Sequence, residues 1–236
     1  MAQSVGNAKN ILIGASPLFL SNVDINDADY IANAEAGSVI ASGATTVGVP
    51  AFAAGASYAD TLNGVTQTAG LFGYRNVGFT NNGLQITYNP TFDSVTVDQL
   101  LDTAKLFKSA MEVMIATEMS EGTLENIVTV FGQSASSLGA VTGTSTTTKQ
   151  VLGLAAGSLG QAPTERQLIA IGQAPTATST ASERVYYARR VLSVQQSQHS
   201  LARTTATTFP VTFRLLPDAN YSGSEYGKII DRVLVV

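Results

Sequence analysis

The spacing of apolar residues changes abruptly within residues 86–131, and this change constrains the fold more than any other feature of the chain. Two strand-like runs come first. Ile86–Tyr88, and Val95–Val97 beyond Pro90, alternate apolar with polar residues. The stretch from Lys108 to Met119 then places Met111, Val113 and Ile115 on one face and Glu112, Met114 and Ala116 on the other. After Ser120 the period lengthens. Leu124, Ile127, Val128 and Phe131 stand at i, i+3, i+4 and i+7, the stripe of a helix. Ser120 or Thr123 suits its cap, Glu121 or Glu125 its first turn, and Gly132 its end. A strand pair followed by one short amphipathic helix predicts a helix laid on a sheet, with its stripe buried there.

The rest of the chain reads as mostly β. Residues 1–9 have the look of an arm. Asn10–Ile13 is a short strand, and Leu18–Leu20 extends it. Residues 21–70 have no clear period, although Ser38–Val49 has the pattern of a hairpin. A structureless loop beyond ~15 residues is unusual inside a domain. Two readings of it stay open: a small-residue surface packed against another subunit, or a surface excursion. Asn81-Asn82-Gly83 is a strong hairpin signal, because these residues tolerate positive φ. Pro90 suits an edge, a bulge or a bend, and Asp98–Lys105 reads as a loop. Residues 133–149 are a polar, small-residue loop. Gln150–Ala155, Arg166–Gly172, Arg184–Gln196 and Thr207–Leu216 read as further strands. The apolar end, Tyr226–Val236, is expected to pair into a sheet or dock on a neighbour. The whole of 1–236 is expected to form one domain.

Composition enters through charge. Charged residues make up 13 % of the chain, well under the usual ~25 %. A folded chain so poor in charge has much weakly polar surface, and such surface points to assembly. The formal net charge of −4 and the lack of a visible basic patch argue against tight nucleic-acid binding by a monomer. With no cysteine, disulfides, thiolate metal sites and cysteine nucleophiles are excluded. The start of the chain lacks the basic-then-apolar pattern of a signal peptide. No apolar run approaches the ~20 residues of a membrane helix, so membrane insertion is not expected.

Catalytic patterns are weak. His199 is the single histidine and lies in a polar segment. A serine triad would have to use it, and no G-x-S-x-G surrounds any serine. The glycine-rich stretches match neither the phosphate-binding loop nor the dinucleotide fingerprint. Asp24, Asp27 and Asp29 resemble a calcium loop only loosely, without its glycine and closing glutamate. Carboxylate pairs such as Asp98/Asp102 and Glu112/Glu118 read better as structural or solvated. A non-enzyme without a cofactor is expected.

At residues 86–131 the chain resembles the major tail tube proteins of tailed bacteriophages. The resemblance rests on the strand ending in Tyr-x-Pro, Val97-Asp98-Gln99, the long following strand, and the helix around Thr123-Leu124-Glu125-Asn126. NILIGAS at 10–16 is similar to that family's first strand. Residues 209–236 are similar to its closing strands and arm. The resemblance implies a β-sandwich or barrel flanked by one α-helix, with a long loop and terminal arms. It further implies hexameric rings stacked into a tube, through which double-stranded DNA passes without specific binding.

On that resemblance, residues 21–70 would include the inter-ring loop and 217–236 the C-terminal arm or strand. Ser38, Val47, Val49, Phe52, Val235 and Val236 are candidates for contact between subunits. Asp93, Asp98, Glu112 and Glu118 are candidates for lining the channel. The partners implied are further copies of the chain, a tape measure protein, and tail completion or tip proteins. The location implied is the tail of a virion, assembled in the host cytoplasm. One alternative is the inner tube of a contractile tail or a type VI secretion-like machine. A β-sandwich virion adhesin is another, and a hydrolase dependent on His199 a third.

Overall fold

A computed structural model of the chain describes residues 16–21, 74–99, 102–134, 137–139, 142–144, 147–156, 159–160, 163–174, 182–195, 198–199, 201, 206–219 and 221–233. Its elements in chain order are β1 (Leu18–Ser21), β2 (Tyr74–Asn76), β3 (Thr80–Thr96), β4 (Thr103–Met119), α1 (Leu124–Val130), β5 (Thr142–Thr144), β6 (Thr147–Lys149), β7 (Arg166–Gln173), β8 (Ser182–Ser193), β9 (Phe209–Leu215) and β10 (Gly227–Val233). The protein is therefore mainly β with a single flanking helix among the described residues. The long strands form one antiparallel sheet in the order β2-β1-β7-β8-β9-β4-β3, and β10 also pairs with β8. β5 and β6 form a separate small hairpin within the polar segment 133–149.

Alternation sets what each strand buries. On β4, Val113, Ile115, Thr117 and Met119 are buried while Glu112, Met114, Ala116 and Glu118 are only half-buried. On β9, Phe209, Val211, Phe213 and Leu215 face the same core. That cluster continues through Val191 and Leu168 to Leu18 and Leu20 on β1. β7 differs, because its run Leu168-Ile169-Ala170-Ile171 is buried on both faces. Leu168 and Ala170 join the main cluster, whereas Ile169 and Ile171 join a second one with Phe19, Val185 and Tyr187. An uninterrupted apolar run is what a strand covered on both sides requires.

The helix begins at Thr123, whose hydroxyl accepts from the Asn126 backbone N–H at 3.3 Å. It ends in a Schellman motif. Gly132, at φ +65°, donates to Thr129 O, and Gln133 donates to Val128 O. The buried residues are Asn126, Val128, Thr129 and Val130, while Leu124 and Ile127 are half-buried and Phe131 is exposed. The expected stripe is thus rotated. Asn126 turns inward because its side chain donates to Val77 O and Glu121 O, both at 2.9 Å. This ties the helix to the chain leaving β2, at the cost of exposing Phe131.

β8 carries three neighbours, because β9 and β10 share one of its edges end to end. Leu215 stands opposite Val191, and Gly227 opposite Ala188. Between them residues 216–219 and 221–226 lie outside the sheet. The excursion is closed by Leu216 N–H to Arg190 O and Arg189 N–H to Tyr226 O. It hangs at a register shift in the β7–β8 ladder. Arg189 is fully buried beneath it. Its guanidinium stacks 3.5 Å from the Tyr221 ring centroid, and its Nε donates to Ser224 O at 2.9 Å. Beside it, Arg190 forms a two-pronged ion pair with Glu165 at 2.6 and 2.9 Å.

Three local expectations change. Asn81-Asn82-Gly83 is an irregularity inside β3, not a hairpin turn, with φ of 60° at Asn82 and 67° at Gly83. Two successive left-handed residues there displace the register without reversing the chain. β4 starts at Thr103, so the connection from β3 is shorter than the loop Asp98–Lys105, while Pro90 sits in an edge strand beside a register shift, as expected. In Gln150–Ala155 the ladder is reduced to a single bridge, Leu138 to Leu152.

Candidate assembly surface

β3 and β4 are each 17 residues long, about three times the usual strand. β9 covers β4 only from Met114 to Met119. Beyond that point β3 and β4 continue together as a two-stranded ribbon that no other described strand joins. Its tip is the turn at Asp98 and Gln99.

Register assigns the two faces of this ribbon. Tyr88 stands opposite Val113, and Ile86 opposite Ile115. Partners in an antiparallel ladder share a face, so Ile86 and Tyr88 lie on the core side. The register slips by one residue at Ser109 in β4, which places Phe92 opposite Lys108. Lys108 Nζ lies 5.7 Å from the Tyr88 ring centroid, which puts it on that same side. The row that fills the core therefore continues outward as Ile86, Tyr88 and Phe92 on β3, with Leu106 on β4. Nothing among the described residues covers it: these four are 45, 64, 58 and 65 % exposed. On β4 the same row is buried from Val113 to Met119, and on β9 from Phe209 to Leu215.

The opposite face carries most of the ribbon's polar groups, with apolar residues among them. It holds Thr87, Asn89, Thr91, Asp93 and Val95 from β3, with Lys105, Phe107, Glu112, Met114 and Glu118 from β4 and Thr212 and Arg214 from β9. Three of the four expected channel carboxylates, Asp93, Glu112 and Glu118, thus share one face. Asp98 lies past the end of β3, in the turn. Glu112 Oε1 lies 3.8 Å from Arg214 Nε, and Glu118 Oε2 accepts from Asn81 Nδ2 at 3.4 Å. A recess of about 360 Å³ opens at the base of this face, lined by Asn82, Gln85, Glu118, Gln195 and Thr212 among others. It holds three amides, the hydroxyls of Thr117 and Thr212, and one carboxylate.

Ser38, Val47, Val49, Phe52, Val235 and Val236 lie outside the described residues, as does most of 21–70. His199 is stacked beside aromatic rings, 4.8 Å from Phe209 and 6.4 Å from Phe131, centroid to centroid. The only aromatic contacts it makes among the described residues are thus with two core-edge phenylalanines. No group of three or more His, Asp or Glu side chains able to hold a metal occurs among the described residues. No helix among them is long and apolar enough to cross a membrane.

Alternation places Tyr88 and Lys108 on strands without a role, and it misses Phe92 and Leu106. Their signal is present as the period-two row Ile86, Tyr88, Pro90, Phe92. Pro90 hides it, because proline normally ends a strand unless that strand is an edge.

The class defined by this architecture is a mainly-β protein with one flanking helix and a projecting β-ribbon. No protein-family model and no curated protein matches the sequence.

Proposed function

We propose that this chain is a self-assembling structural subunit, the tail tube protein of a tailed bacteriophage. Six copies form a ring, rings stack into a tube, and double-stranded DNA passes through the bore into the host. The observation that carries the reading is the ribbon, whose apolar row prolongs the core into solvent. Single exposed apolar residues are ordinary on protein surfaces, but a contiguous row of them marks an association site. The ribbon's other face supports the same reading. It carries hydroxyls, amides and the carboxylates of Asp93, Glu112 and Glu118 beside Phe107, Val95, Lys105 and Arg214, and carboxylates repel phosphates and do not hold them. Assembly would take place in the host cytoplasm, with a tape measure protein and tail completion or tip proteins as further partners.

Negative-stain microscopy and sedimentation of the purified protein test the proposal. Six-fold rings or stacked tubes are expected at concentrations of tens of micromolar. A monodisperse monomer at every concentration, salt and pH tried refutes it.

A further inference from the structure

Asn81-Asn82-Gly83 is a hairpin signal that turns no chain here, and its chemistry is left for another use. An asparagine side chain is open to attack by the backbone nitrogen of the residue that follows. Attack is fast only if that residue has an N–H and no Cβ in the way, if the backbone is not clamped, and if water reaches the site. The described asparagines differ on all three counts. Asn89 precedes Pro90, which has no N–H. Asn126 is fully buried in α1, its side chain donating to Val77 O and Glu121 O. Asn76 precedes the buried, β-branched Val77, and its Oδ1 accepts from the Gly78 N–H at 3.0 Å. Asn81 precedes Asn82, and its Nδ2 donates to Glu118 Oε2 at 3.4 Å. Asn82 meets every condition. It precedes Gly83, and both are exposed. Its side chain makes no hydrogen bond among the described residues. The β3–β4 register passes from Asn81 opposite Glu118 to Gln85 opposite Ala116, so Asn82, Gly83 and Leu84 stand out of the ladder. A side-chain carbon at Gly83 would meet nothing within 4 Å, so the space around it is open. Thr117 Oγ1 donates to Gly83 O at 2.9 Å, which holds the glycine through its carbonyl and leaves its nitrogen out of that contact.

We propose that Asn82 is a site of self-modification, converted to aspartate and isoaspartate in the folded protein without an enzyme. The Gly83 amide gives its proton to hydroxide as its nitrogen bonds to Asn82 Cγ. The Cγ–Nδ2 bond breaks, and Nδ2 leaves as ammonia with a proton taken from water. The five-membered imide that remains is opened by water at either of its carbonyls. Opening at the side-chain carbonyl restores the main chain as aspartate. Opening at the main-chain carbonyl routes the chain through the side chain, as isoaspartate. Asn82 lines the recess together with Glu118, so each event puts a second carboxylate there. The extra backbone carbon of isoaspartate falls where the ladder is already interrupted, so the pairs on either side keep their register. The change runs one way, and the acid content at position 82 therefore records the age of the folded chain. None of this depends on whether the subunit assembles.

Peptide mass spectrometry of native wild-type protein, sampled over time at mildly alkaline pH, tests this directly. Trypsin releases residues 76–105 as one peptide that holds Asn76, Asn81, Asn82 and Asn89, and fragmentation assigns the converted position. The other Asn-Gly pair, Asn63-Gly64, falls in a different peptide and lies outside the described residues. Asn82 is expected to gain acid at least ten-fold faster than Asn76, Asn81 or Asn89, and unfolding in urea is expected to raise its rate less than ten-fold. Asn82→Gln, whose ring would need six members, is expected to abolish the signal from this peptide. A native Asn82 that converts no faster than Asn81 overturns the proposal. So does one that converts at least ten-fold more slowly than in urea, since the fold would then protect the site. Loss of amide from the Asn82→Gln peptide at the wild-type rate overturns the assignment to Asn82. The wild-type comparison decides the matter even if that variant fails to fold.

Discussion

Phe92 and Phe213 lie on the same side of the same sheet, one outside the core and one inside it, and their substitution separates folding from assembly. Phe213 is 1 % exposed and Phe92 is 58 % exposed. Phe213→Ala leaves a cavity, at a cost of about 3–5 kcal/mol. For a chain of this length that lowers Tm by about 6–20 °C. Phe92→Thr keeps a strand-favouring residue at its position, so the dissociated subunit is expected to melt within about 0.5 kcal/mol of wild type. Assembly responds differently. Full burial of a phenylalanine side chain contributes about 1.5–3 kcal/mol, and the exposed part of Phe92 accounts for about 1–2 kcal/mol of this per contact. Removing it weakens each contact about 5–30-fold. The assay is a pair of measurements on each variant: thermal melting at a concentration where the subunit is dissociated, and critical concentration by light scattering. Keeping the melts below the critical concentration matters, because assembly would otherwise raise Tm by mass action. An unchanged critical concentration for Phe92→Thr refutes the reasoning. So does a loss of subunit stability as large as that of Phe213→Ala, since Phe92 would then be part of a core already closed.

Gly227 opens β10 at φ +143°, and a Cβ there would collide with the Tyr187 carbonyl. Gly227→Ala is expected to cost more than about 1 kcal/mol and to speed amide exchange along β10 and its β8 partners. Thr123→Ala removes the helix cap and is expected to lower stability by about 1 kcal/mol, seen as a fall in Tm of about 2–4 °C. The two-pronged hydrogen bond from Arg184 holds the Asp231 carboxyl below its ordinary range, with charge attraction adding to it. A depressed carboxyl stabilises the fold above its unfolded pKa and loses that contribution as pH falls through the folded value. The β8–β10 ladder is therefore expected to loosen only in acid below the usual carboxylate range, by a small amount because the pair is solvent-exposed. Exchange in β10 that is already fast at neutral pH would contradict this.

Much of the sheet is legible in the sequence, because strands half-covered by a core must alternate. Val113, Ile115 and Met119 on β4, and Phe209, Val211 and Phe213 on β9, stand out for that reason. The helix is legible from its caps, Thr123 and Gly132, which are local chemistry. Its buried face is not, because Asn126 is drawn inward by two carbonyls, one of them far away in sequence at Val77. The pairing of β10 with β8 is equally hidden. It depends on Arg189 holding an excursion in place from beneath, and nothing near residue 189 in sequence marks that contact.

The ribbon is harder to read for a reason that bears on its proposed role. Alternation identifies two faces on any strand, but it does not say where the cover stops. Along β4 the same period runs from a buried Ile115 to an exposed end, and the slip at Ser109 exchanges the faces on the way. Without that slip Lys108 would sit among the carboxylates of the polar face, close to Glu112 in step. With it, Lys108 leans on Tyr88 and Leu106 joins the side of Phe92, while Asp93 keeps the face of Glu112 and Glu118 in either case. One extra residue thus brings Leu106 and Lys108 onto the side of Ile86, Tyr88 and Phe92, and places Phe107 on the side of the carboxylates. A monomer gains nothing from this sorting, since water meets both sides equally. It becomes useful when one side is to be covered by a neighbouring copy and the other is to stay wet. Inserting or deleting one residue at position 109 should therefore leave the core below Met111 intact yet destroy assembly. Subunits of unchanged Tm that still form rings after such a change would show that the sorting has no part in association.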